Sequence, residues 1–153
     1  MATLDYTRGV TIQPIAGNPQ WFGAYVDCTD ATGKAYDQGA TGAADVLKVF
    51  SVPAGTFVDK AVCIVRVAEG GTQIADIGDG DDADGYMNDT DLNATAGTAD
   101  FSDTTDDAFA EAGGKYYSSA DTIDVTLITN GMNTGKFEVW IHASYFGPLQ
   151  VGH

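Results

Sequence analysis

The sequence predicts an all-β fold, a sandwich or jelly roll of about eight strands behind an N-terminal arm. Three observations carry this. The chain has 153 residues, enough for one domain around one core, and 44% of them are apolar. It holds 19 glycines while only 19% of residues are charged, a balance of turns and small residues that disfavours a helical bundle. Apolar residues then alternate with polar ones in runs separated by turn signals, the period of a half-buried strand.

Residues 1–20 form the expected arm or edge strand, because Pro14 and Pro19 cannot donate to a central ladder. A single sandwich domain is expected over 21–148, with 149–153 as a tail. In "WFGAYVDCTD" Trp21, Gly23 and Tyr25 fall on one face and Phe22, Ala24, Val26 and Cys28 on the other. Residues 30–42 are rich in turn formers. In "ADVLKVFSVPAGTFV" both faces are apolar, and the "VPAG" word ends the strand. "DKAVCIVRVAEGG" places Ala61, Cys63, Val65 and Val67 opposite Val62, Ile64 and Arg66. Together with "TQIADIGDGDD", which brings in Ile74 and Ile77, it predicts a hairpin turning at "AEGG".

Between Arg66 and Lys115 the chain has no Lys or Arg, yet it holds 13 of the 22 acids. So long a structureless loop is unusual, so short strands or turns are expected, pinned by Tyr86, Met87, Leu92, Phe101 and Phe109. "DDAFAEAGG" fits one helical turn. "KYYSSADTIDVTLITN" reads as a strand with Ile123, Val125 and Leu127 inward and Asp124 and Thr126 outward. "NGMNTG" is a turn, and "KFEVWIHASYF" is the last strand, with Phe137, Val139, Ile141 and Ala143 inward.

The formal charge of −15 excludes function classes. A nucleic-acid binder needs a basic patch and none is present, and anionic membrane surfaces are disfavoured for the same reason. No run approaches the length of a membrane span. The opening "MATLDYTRGV" lacks a basic region followed by an apolar run, so no secretory signal is expected. Cys28 and Cys63 lack metal-type spacing and read as two buried thiols; a disulfide needs their strands to be neighbours.

"IGDGDDADGYMND" packs Asp79, Asp81, Asp82 and Asp84 together, with Asp89 following. An EF-hand frame starting at Asp79 puts Ala83 at position 5, Asp84 at the glycine position and Thr90 at the glutamate position, so it fails. Calcium accepts irregular cages, so a cation site there and a solvated hairpin tip both stay open. Acid–base catalysis needs one carboxyl in an apolar pocket, and none is evident. His142 is the one plausible base, and it sits mid-strand. No nucleophile elbow or phosphate loop occurs. No enzyme activity, cofactor or metal is expected.

Aromatics fall on faces that ought to be wet. With Phe137, Val139 and Ile141 inward, Trp140, His142 and Phe146 point outward, and Trp21 and Tyr25 do the same opposite Phe22 and Val26. These five are the candidate interface residues, since Trp and Tyr are enriched in protein contacts. The other reading is that the chain's own arm or second sheet covers them.

The words "DVLKVFSVPAGTFV", "VAEGGTQIADIGDGDDADGYMN" and "GKYYSSADTIDVTLITN…GKFEVWIHASYF" together resemble small structural proteins encoded beside the major capsid gene in tailed bacteriophages, over about residues 45–146. The resemblance implies an antiparallel β-sandwich of jelly-roll type. It also implies a role in decorating or cementing the capsid exterior, with the major capsid protein as partner and no catalytic residues to carry over. A homotrimer would match the local threefold points of a capsid lattice. Two other functions fit the same residues. One is a carbohydrate-binding sandwich displayed on the particle, with Trp21, Tyr25 or Trp140 stacking on sugars. The other is a tail or connector component.

Overall fold

The computed structural model describes residues 3–5, 18–29 and 42–147. Among them ten strands and one short helix follow in order: β1 (Thr3–Asp5), β2 (Gln20–Asp27), β3 (Val46–Val52), β4 (Thr56–Val67), β5 (Ile74–Gly78), β6 (Met87–Asp91), β7 (Ala99–Phe101), α1 (Ala108–Glu111), β8 (Lys115–Tyr117), β9 (Asp121–Leu127) and β10 (Lys136–Tyr145). The expected segment 30–41, most of the arm and the tail lie outside the described residues.

Two sheets pack face to face. One has the order β1-β3-β9-β5-β6. The other has β2-β10-β4, with β7 and β8 sharing the far edge of the 12-residue strand β4. Without β1 and β7, the remaining eight strands pair as β2-β10-β4-β8 and β3-β9-β5-β6, all antiparallel. That wiring is the jelly roll: successive strands change sheets, apart from the β5–β6 hairpin. β1 joins the edge of β3 in parallel.

This wiring corrects two expectations. No hairpin turns at "AEGG", because both edges of β4 are taken, by β10 on one side and by β7 and β8 on the other. The segment instead crosses between sheets. Glu69 fixes the crossing: its carboxylate accepts the N–H groups of Asn133, Thr134 and Gly135 and so ties it to the β9–β10 connection. Likewise "KYYSSADTIDVTLITN" is two strands, since the chain leaves β4 after Tyr117 and enters the opposite sheet at Asp121.

Between the sheets lie Leu47, Phe50, Ile77, Ile123, Phe137 and Ile141, all at most 1% exposed. Burying such side chains stabilises by roughly 1.5–3 kcal/mol each. Alternation slips once in β3. Lys48 opposes Asp124 but Phe50 opposes Ile123, so a bulge at Val49 lets Val49 and Phe50 both be buried. Cys28, just past the end of β2, and Cys63, on β4, are buried thiols; β2 and β4 flank β10 rather than each other, and burial pushes each thiol up to about 12.

Candidate interaction surface

The outer face of β2-β10-β4 collects four of the five expected interface residues. Register places His142 beside Trp21, Trp140 beside Gly23, and Glu138 beside Tyr25. The Trp21 and His142 ring centres are 5.1 Å apart. Gly23 is required here: a Cβ on it would meet the Trp140 indole at 2.8 Å, so the missing side chain lets the ring lie across β2. Trp21 is 48% exposed and Tyr25 55%, while Trp140 and His142 are half-buried. Phe146 is 67% exposed but lies past the end of β10, four residues beyond His142, so it is not part of this cluster.

Two bulges in β4 frame the face. Between His142–Lys60 and Ala143–Val58 the extra residue is Asp59, whose Oδ1 lies 2.6 Å from His142 Nδ1. Between Lys136–Val67 and Phe137–Val65 the extra residue is Arg66, whose guanidinium donates to Glu138 Oε2 at 2.8 Å. The same oxygen accepts from Trp140 Nε1 at 2.8 Å. Each bulge re-aims one charged side chain toward β10. At the end of the face Lys136 pairs with Asp27 at 2.8 Å. Burial opposes ionisation of Asp27, but the bonds from Lys136 and Thr29 outweigh it and lower its pKa to about 2. The acids of this face are therefore each engaged, in a chain that is otherwise strongly negative.

Phe101 was expected to pin the core. It is 64% exposed instead, paired with Val62 at the β7 edge, and extends the same face. Nothing in "TADFSD" marks this: by period two Ala99 and Phe101 form the apolar set that would point inward, yet all three residues of β7 are exposed.

The acidic hairpin is built differently from either sequence reading. Ile77 and Tyr86 return to the core on its two sides, as expected of a hairpin. Asp79, however, is buried at its base. Its Oδ1 accepts the N–H groups of Asp81 and Asp82, and its Oδ2 accepts from Lys115 Nζ at 2.6 Å and Tyr117 Oη at 2.8 Å. Lys115 also reaches Asp81 at 2.9 Å and lies over the Phe109 ring. Burial disfavours its charge, but Asp79 and Asp81 outweigh that and raise its pKa. Asp79, Asp81 and Asp121 offer oxygens close enough to share a cation, yet the ammonium of Lys115 already bridges two of them.

The tip folds back over the outer face of the other sheet, where a side chain at Gly78 would run into the Asp82–Ala83 backbone. Asp124, paired with Gly78, is thereby covered and only 8% exposed, and its Oδ1 has no hydrogen-bond partner. It points outward as expected but is not wet.

No protein-family model and no curated protein matches the sequence. Solved structures do match in fold. A chain in the capsid of Ralstonia phage GP4 superposes with a TM-score of 0.66 at 13% identity, covering 94% of this chain and 98% of that one. A chain of the cyanophage Pam1 capsid gives 0.63 at 16% identity, covering 88% and 89%. A chain of the acid-stable capsid of Helicobacter pylori bacteriophage KHP30 gives 0.58 at 12% identity, covering 92% and 98%. This chain therefore has a fold found in phage capsids, over nearly its whole described length.

Proposed function

We propose that this chain is a non-enzymatic structural protein of a phage virion. In this reading it decorates or cements the capsid exterior, in contact with the major capsid protein, and its self-association is a trimer at local threefold points. One observation supports the reading above the rest: the jelly roll is matched nearly end to end by chains in three phage capsids, rather than by a fragment of a larger protein. The Trp21, Tyr25, Trp140 and His142 face supplies an adhesive surface, and Phe146 a separate contact. The test is mass spectrometry of purified particles followed by a density map. The chain is expected in stoichiometric amount on the outer surface. Its absence from particles removes the proposal, and density in the tail moves it to the tail or connector reading.

A second reading is favoured by the exposed Trp21 and Tyr25 rings beside Asp59, Glu138 and Arg66, since sugars are held by aromatic faces together with polar edges. A glycan array tests it, and a flat response removes it.

A further inference from the structure

Among the described residues the strand β2 is an edge, and its own sequence lacks the devices that usually keep an edge from pairing. It is eight residues long, whereas β1, β7 and β8 have three each. The other long edge, β6, carries Asp89 and Asp91. In "QWFGAYVD" there is no Lys and no Pro, and the one charge, Asp27, sits at the end against Lys136. Its ladder to β10 runs without a bulge. Among the described residues nothing pairs with its other side. Such an edge is a template for another strand.

The sequence of β2 also complements itself. In an antiparallel pairing about a twofold axis at Gly23, Trp21 of one copy lies opposite Tyr25 of the other, twice. Phe22 lies opposite Ala24 on the inner face, and Gln20 opposite Val26. No charge meets a like charge, and aromatic cross-strand pairs stabilise such ladders. Gly23 at the axis has no side chain, so the two Trp140 indoles, each lying over its own Gly23, extend one aromatic surface across both copies. Electrostatics favours this approach too. Asp27, Asp59 and Glu138 on this face are bonded to Lys136, His142 and Arg66, while the acidic hairpin lies on the opposite sheet. A chain of −15 meets its own kind with least repulsion here.

We infer that β2 is a self-association edge, joining two copies of this chain into one continuous sheet about a twofold axis at Gly23. The inference rests neither on the trimer of the proposed function nor on a place in the particle; it is an alternative mode of self-association. It differs from the trimer, and mass in solution decides between them.

The experiment is analytical ultracentrifugation of the full chain, of Trp21→Lys/Tyr25→Lys, and of Trp21→Glu/Tyr25→Glu. Both positions are about half exposed, so folding tolerates the changes, and thermal melts verify it. The wild-type chain is expected at twice the monomer mass and each folded double variant at the monomer mass. Mixing the two variants restores the dimer, because lysine then faces glutamate across the axis. A wild-type monomer, a trimer, or a dimer unmoved by both variants overturns the inference. None of these results bears on whether the chain is present in virions.

Discussion

Lys115 Nζ sits 2.6 Å from Asp79 Oδ2, with Asp79's side chain fully buried and Lys115's 18% exposed. The ammonium does in this hairpin what a bound cation does in a metal loop. Breaking a buried pair from one side leaves an uncompensated charge, which costs about 3 kcal/mol at the lower end of such cases. Lys115→Met is therefore expected to lower the melting temperature by roughly 6–12 °C. Calcium or a chelator is expected to leave the wild-type melt unchanged, because four donors already engage the Asp79 oxygens. A calcium-dependent rise of several degrees in the wild-type chain contradicts this assignment.

Gly23→Ala tests the packing of the aromatic face. In an exposed strand, alanine ordinarily gains about 0.4–1 kcal/mol over glycine by restricting the unfolded chain. Here its Cβ would overlap the Trp140 ring at 2.8 Å, and overpacking costs about 1–3 kcal/mol. The clash wins. The expected result is a lower melting temperature together with a red shift in tryptophan emission as the indole is displaced toward water. A stabilised variant with unchanged fluorescence contradicts the stacking.

Glu69→Gln tests the sheet crossing. Burial works against the Glu69 carboxylate, but the N–H groups of Gly135, Thr134 and Asn133 and the Thr134 hydroxyl outweigh it and lower its pKa. A group depressed on folding stabilises above its ordinary value, 4.5 here, and that stability is lost as pH falls through the folded value. Charge-assisted bonds contribute about 2 kcal/mol, so the variant is expected to melt about 4–8 °C lower at pH 7. The gap between the two proteins is expected to shrink below about pH 4.5. A gap independent of pH contradicts the assignment.

Strand phases were legible in the sequence wherever one face was plainly apolar. Val139 and Ile141 against Trp140 and His142, and Ala24 and Val26 against Trp21 and Tyr25, came directly from period two, and with them most of the interaction face. The wiring was less legible. A turn word such as "AEGG" looks the same whether the chain returns to its own sheet or crosses to the other, and only the occupancy of β4's two edges decides. Bulges were invisible as well. Asp59 and Arg66 acquire their partners because one extra residue turns each toward β10, and nothing in local composition marks that residue. The acidic hairpin misled by proximity in sequence. Its counter-charge, Lys115, comes from a strand 36 residues away from Asp79.

Asp124 lies under the hairpin tip at a cost to the fold. Burial raises its pKa, with Thr122 and Lys48 only partly opposing this, and its Oδ1 is unpartnered. A carboxyl raised on folding destabilises the native state above its folded pKa, and the penalty is gone below its ordinary value of 3.8, where both states are protonated. Asp124→Asn removes the charge at nearly constant volume. The expected gain is about 1 kcal/mol, or roughly 2–4 °C, at pH 7, falling toward zero near pH 3. Thermal melts of both proteins across that range measure it. Lys48→Met, which removes the charge opposite Asp124 on β3, is expected to enlarge the gain from Asp124→Asn. If Asp124→Asn instead destabilises at pH 7 and the loss grows with rising pH, the buried carboxylate is held by a favourable interaction and the strained reading of this site is wrong.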